Sequence, residues 1–144
     1  MANIVIVYDS LRGTTRKIVE ELDRSLTAAG HQVAAYKGGK IAVVELEGAD
    51  FLLLGGPTYH KDLIGTMKQF LFKAADANLA NKQGAAFSSY GWSGESLKII
   101  EDTMKNQFKM ILAAPGLAVK QTPSAAKIKA AVEPFVREII QKIK

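Results

Sequence analysis

Residues 3–15 read Asn3-Ile4-Val5-Ile6-Val7-Tyr8-Asp9-Ser10-Leu11-Arg12-Gly13-Thr14-Thr15. The first six predict a β-strand, and Ile4 to Val7 form an unbroken apolar run. Such a run fits a strand covered on both faces, as in the centre of a parallel sheet. From Thr15 the period changes: Ile18, Val19, Leu22 and Leu26 share one stripe, while Lys17, Glu20, Glu21, Asp23 and Arg24 lie off it. The stretch is therefore strand, short loop, amphipathic helix. The first turn of that helix points N–H groups without intrahelical partners at whatever the loop encloses. Ser10, Thr14 and Thr15 add hydroxyls, Gly13 permits close backbone approach, and the helix dipole favours negative charge, so a phosphate suits this loop. Ordinary helix capping is the other reading of the same residues. The loop is neither G-x-x-x-x-G-K-[ST] nor G-x-G-x-x-G, which removes the main support for an NTPase or an ordinary dinucleotide site.

Outward from this unit, apolar runs recur and predict strands at Gln32–Tyr36, Phe51–Leu54, Ala85–Ser88 and Met110–Ala113. Helical patterns separate them. They cover Leu63–Asn78 (Leu63, Met67, Phe70, Leu71 and Ala74 on one face), Glu95–Phe108, and Ser124–Ile143, which starts cleanly at Thr122-Pro123. Pro134 lies inside the last of these and is expected to kink or split it. Ile41–Leu46 reads as a short helix or an extended piece. Alternating strand and helix predicts an α/β fold, a parallel sheet covered on both faces and wound by right-handed crossovers. Five strands suit the order 2-1-3-4-5, whose ligand sits beyond the carboxyl ends, at the switch point between strands 1 and 3. The loops after Tyr8, Leu54 and Ser88 are therefore the candidate ligand loops.

At 144 residues, 48% hydrophobic and 23% charged, the chain has the size and make-up of one globular domain, 1–144. No segment approaches the roughly 18 apolar residues that span a bilayer, and the N-terminus lacks the basic stretch and cleavage site of a signal peptide. A cytoplasmic protein without membrane contact is expected. With no cysteine, disulfides, thiol nucleophiles and Cys-ligated metals are excluded, and the two separated histidines, His31 and His60, suggest no metal centre. The net charge of +5 is unevenly placed. Residues 1–96 carry 10 basic and 10 acidic side chains, residues 97–144 carry 9 and 4. Lys98, Lys105, Lys109, Lys120, Lys127, Lys129, Arg137, Lys142 and Lys144 read either as a docking face for an acidic partner or as a solvated helix surface. Nucleic acid is not expected, because these lysines are spread over two helices without interleaved aromatics.

The loop after the third strand reads Gly55-Gly56-Pro57-Thr58-Tyr59-His60-Lys61, and that after the fourth reads Ser88-Ser89-Tyr90-Gly91-Trp92-Ser93-Gly94. Tyr59, Tyr90 and the sole tryptophan thus fall in the loops that the fold assigns to a ligand. A planar ring system between them explains that placement; capping of the core ends is the alternative.

Three motifs, Tyr8 to Thr15, Gly56-Pro57-Thr58-Tyr59 and Ser89-Tyr90-Gly91-Trp92-Ser93-Gly94, resemble the flavodoxin family over essentially the whole chain. The resemblance is greatest to the FMN-binding flavodoxin domain of flavodiiron proteins. It implies a flavodoxin-like three-layer sandwich with FMN as cofactor. Its phosphate would be held by Ser10, Leu11, Arg12, Gly13, Thr14 and Thr15. The ring edge would meet the backbone of Pro57, Thr58, Tyr59 and His60, and the other side would meet Ser89, Tyr90, Gly91, Trp92, Ser93 and Gly94.

The implied function is a small electron carrier between redox proteins, a monomer or weak dimer, with acidic partners expected on the basic face. The alternative is an FMN-dependent oxidoreductase acting on NAD(P)H, a quinone or a porphyrin-type substrate, since the fold hosts such activities. A flavin-free interaction module leaves the aromatics unexplained. No catalytic acid, base or nucleophile stands out: Asp9, Asp62 and Glu95 lie near the loops and read as structural. The chain departs from the family pattern at Arg12, where many phosphate loops have a small hydroxyl residue, and at His60, where a Gly is common. A side chain at the latter resists positive φ, which implies weak stabilisation of one-electron-reduced flavin. The di-iron domain of flavodiiron proteins has no counterpart in these residues, so their oxygen or nitric oxide reduction is not carried over.

Overall fold

In a computed structural model, the structure describes residues 2–10, 13–38, 40–59, 62–91, 94–121 and 124–143. Along the chain run β1 (Asn3–Tyr8), α1 (Thr14–Ala28), β2 (Gln32–Lys37), α2 (Val43–Glu47), β3 (Phe51–Tyr59), β4 (Asp62–Leu63) and α3 (Gly65–Ala74). Then come β5 (Gln83–Tyr90), α4 (Glu95–Asp102), β6 (Ile111–Leu112), β7 (Leu117–Lys120) and α5 (Ala125–Ile143). β2, β1, β3 and β5 lie side by side, parallel, and β6 and β7 both lie parallel against β5. This is the order 2-1-3-4-5, its fifth strand built in two pieces. β4 alone is antiparallel, paired with the end of β3.

The apolar run of β1 serves two cores, as its lack of alternation predicts. Ile4 and Ile6 join Leu53 and Phe87 under α1 and α5, with Ile18, Leu22, Val132 and Ile139. Val5 and Val7 join Leu52, Leu54 and Ala86 on the other face, under Met67 and Phe70 of α3 and Ile100 of α4. The result is a flavodoxin-like sandwich, helices on either side of one sheet. No helix of the described residues is long and apolar enough to cross a membrane.

Several boundaries differ from the sequence reading. The third helix spans Gly65–Ala74, not Leu63–Asn78, because Asp62 and Leu63 pair with Tyr59 and Thr58 as a hairpin strand. The pattern at Glu95–Phe108 is α-helical only to Asp102 and continues as a π-turn over Thr103–Gln107. There the Thr103 hydroxyl donates to the Ile99 carbonyl (2.8 Å) and Phe108 N–H reaches the Thr103 carbonyl five residues back; a side chain drawn onto the ladder is a common cause of such widening. The strand expected at Met110–Ala113 covers only Ile111–Leu112, and Ala113 to Gly116 separate it from β7, whose Leu117 resumes pairing beside Phe87. Pro134 neither ends nor splits α5. Val132, Phe135, Val136 and Ile139 are buried on both sides of it, and that packing offsets the one backbone bond proline removes. Ile41–Leu46 resolves into the short α2. The helix start at Thr122-Pro123 lies outside the described residues.

Candidate functional site

β1, β3 and β5 run parallel and deliver Asp9, Tyr59 and Gly91 to one edge of the sheet. Neighbouring loops close over that edge: Gly38 N–H donates to the Tyr8 carbonyl (3.0 Å) and Gln121 N–H to the Tyr90 carbonyl (2.6 Å). The loop after β1 is organised by its own side chains. Asp9 Oδ1 accepts Ser10 N–H (2.7 Å), and Ser10 Oγ accepts Gly13 N–H (3.0 Å). Gly13 then takes φ +89°, the left-handed region glycine enters without cost, and α1 begins.

Among the described residues no side chain caps α1, and its first turn holds no acid. The ordinary-capping reading of Ser10, Thr14 and Thr15 therefore fails: Ser10 folds the loop, and the helix's leading N–H groups face the loop uncapped by a side chain. Thr14 and Thr15 are buried, and Thr15 Oγ1 shares a 2.8 Å hydrogen bond with Ser89 Oγ at the end of β5, each residue 1% exposed. One hydroxyl of such a pair donates to the other and the acceptor keeps its own hydrogen. Whichever way the pair is oriented, this bond uses only one of its two hydroxyl hydrogens.

Pro57 is buried within β3 opposite Ser89. Thr58 Oγ1 shares a 2.7 Å bond with Ser96 Oγ in the first turn of α4, so its side chain ties β3 to that helix. Tyr59 and Tyr90 end their strands and are not loop residues, as the sequence reading had them. Tyr90 is half-buried, Gly91 and Gly94 exposed. Gly55 admits the ring of Phe87: a Cβ there would stand 2.2 Å from it. Leu11, Arg12, His60, Lys61, Trp92 and Ser93 lie outside the described residues.

Sequence reasoning missed one support of the site, Ser96, and read another, Asp62, as structural. Ser96, fully buried, binds Thr58; its only signal was a hydroxyl residue two positions after Gly94. Asp62 accepts Leu63 N–H (2.8 Å) and pairs with Lys68, locking the hairpin after β3 onto α3. The Lys68 ammonium first, then that N–H, holds the Asp62 carboxyl below its ordinary range. Ser88, next to Ser89 but on the opposite face, is fully buried, and its hydroxyl has no hydrogen-bond partner among the described residues.

Residues 5–144 match the protein family described as the flavodoxin domain. The chain is 35% identical over 131 residues to the type A flavoprotein FprA of Rhodobacter capsulatus, covering 88% of this chain and 30% of that protein. It is 33% identical over 112 residues to a flavodoxin of Nitratidesulfovibrio vulgaris, covering 72% of this chain and 76% of the relative. Among solved structures, oxidised flavodoxin 2 of Bacillus cereus superposes with a TM-score of 0.89 at 25% identity, over 98% of this chain and 99% of that one. The chain thus spans under a third of the Rhodobacter protein and most of the length of the small flavodoxins.

Proposed function

This chain belongs to the flavodoxin domain family, and from that membership we propose that it binds one FMN at the carboxyl edge of its sheet and passes electrons between redox proteins. Flavodoxins are FMN proteins and the usual example of ligand binding at the β1/β3 switch point. The observation that carries the reading is the start of α1: a helix N-terminus without side-chain cap or acid among the described residues, entered through Gly13 at positive φ, beside a buried hydroxyl pair whose mutual bond uses only one of its two hydroxyl hydrogens. That is a donor set for a phosphate. Ser10, Leu11, Arg12, Gly13, Thr14 and Thr15 would hold the phosphate. Pro57 to His60 and Ser89 to Gly94 would border the ring, mostly through backbone, since the Thr58 and Ser89 hydroxyls are engaged within the protein.

When bound, FMN supplies the electron-accepting ring. The chain supplies its placement. Thr15 and the α1 N–H groups fix the phosphate end, the Asp62–Lys68 pair holds the hairpin beside the ring position, and the Thr58–Ser96 bond holds the hairpin to α4. The same reading takes residues 1–144 as one domain, a monomer or weak dimer, whose excess positive charge suits acidic partners.

The visible spectrum of the purified protein tests the cofactor, with flavin bands near one equivalent expected. Steady-state assays with NADH or NADPH and free acceptors test the carrier role: slow turnover is expected, and fast substrate-specific turnover would replace the carrier with an oxidoreductase.

A further inference from the structure

Charge counted along the chain places the basic excess in residues 97–144, yet in space that excess is diluted. On α4 and α5, Lys98 pairs with Asp102 and Arg137 with Glu133. Lys105, Lys109, Lys129 and Lys142, exposed and without an ion pair to a described residue, are spread over the π-turn, the loop after it and α5, whereas six cations gather around the carboxyl edge of the sheet. Lys37 and Lys120 end β2 and β7, one beside Tyr8 and the other beside Tyr90, so they bracket the edge from opposite sides. Arg16 and Lys17 stand in the first turn of α1, Lys127 in that of α5, and Lys40 follows β2. All six are exposed and make no ion pair with any described residue. Of the carboxylates nearby, Asp62 pairs with Lys68, Asp9 accepts Ser10 N–H, Glu45 accepts Ala42 N–H (3.1 Å), and Glu95 stands in the first turn of α4.

The opposite edge differs in kind. There Asp50 accepts Asn3 N–H, Glu47 accepts Asn78 N–H, and Lys82 donates to the Glu47 and Ala49 carbonyls. Those charges brace the backbone, whereas the six cations of the carboxyl edge make no ion pair with a described residue. A cleft of about 380 Å³ opens between Lys37 and Lys40 on one side and Thr66 and Gln69 of α3 on the other, giving the edge relief.

We propose that this ring of unpaired lysines and arginine is the docking surface, and that the partner is a small redox protein presenting a carboxylate-rich face around its own redox centre. The proposal rests on the FMN reading for its purpose, since docking there brings the two centres together. Cations spread around a rim steer encounter and orient the partner, and their effect fades as salt screens it.

The test uses an acidic plant-type ferredoxin as probe, with a basic c-type cytochrome, a DNA duplex and anionic phospholipid vesicles as comparisons. Amide shifts of isotope-labelled protein, which need no flavin, report where the ferredoxin lands; stopped-flow electron exchange with FMN-loaded protein reports whether landing is productive. Shifts centred on Arg16, Lys37 and Lys120 are expected, with an exchange rate falling about tenfold or more between low and 0.3 M salt. Lys37→Glu with Lys120→Glu should abolish that salt dependence and slow exchange at low salt, while Lys129→Glu with Lys142→Glu, on the body of α5, should leave both unchanged. Shifts centred elsewhere, equal loss in both double variants, faster low-salt exchange with the cytochrome, or tighter binding to DNA or vesicles would overturn the proposal. Edge-centred shifts in a protein that takes up no FMN would keep the docking surface and reject the cofactor reading.

Discussion

The buried bond between Thr15 and Ser89 joins residues 74 apart in sequence and makes the two ends of the candidate site answer to each other. If Thr15 donates to a phosphate, Thr15→Ala should weaken FMN binding by about 1.5–3 kcal/mol, roughly ten- to a hundredfold in Kd, and leave riboflavin binding unchanged. Ser89→Ala should weaken FMN binding less, by loosening Thr15, and should add almost nothing once Thr15 is already alanine. Flavin fluorescence titrations of the two single variants and the double variant measure this; additive losses would mean that Ser89 acts on the ligand by a separate route. Its neighbour Ser88 offers a contrast. A buried hydroxyl without a partner costs free energy, so Ser88→Ala should leave thermal stability unchanged or raise it, where most buried substitutions lower it.

At the scale of elements, β3 shows how a strand reaches past the core to form the site. Its Gly55 leaves room for the Phe87 ring, and Gly55→Ala should destabilise by about 1–3 kcal/mol through overpacking, as read in urea midpoints, with partial recovery when Phe87 is also changed to Leu. The β3–β4 hairpin carries the pH dependence that can be worked out. Asp62 titrates lower in the folded protein than in the unfolded chain, so its contribution is complete above its unfolded pKa and disappears as pH falls through its folded one. Asp62→Asn should therefore flatten the acid limb of a stability-against-pH curve and leave its slope at neutral pH alone. Elements with an unambiguous period were legible beforehand: the apolar run of β1 and the stripe of α1 stand where the pattern put them. The hairpin was not, because a two-residue strand has no period to read and Leu63 matches the stripe of the helix that follows. β7 escaped for a like reason, as Ala113 to Gly116 break the fifth strand and its resumption at Leu117 is too short to signal itself. Pro134 does not split α5, because local propensity counts against proline while burial of Val132, Phe135 and Val136 decides.

For the whole molecule, alternation implies the parallel sheet, and the observed strand order fixes which edge holds the ligand loops. What the chain's linear charge count hides is the folded charge map. Of the acids of residues 1–96, Glu21 pairs with Arg24 on the flank of α1, and Glu47 and Asp50 brace the far edge. The central claim is that this edge binds FMN with its phosphate at the start of α1. It is tested most directly by titrating the flavin-free protein with FMN and with riboflavin under identical conditions, following flavin fluorescence. The account predicts one FMN per chain, bound at least about tenfold more tightly than riboflavin, from the loss of charge-assisted bonds to the phosphate. Equal affinities for the two flavins, or no binding of either, would contradict it.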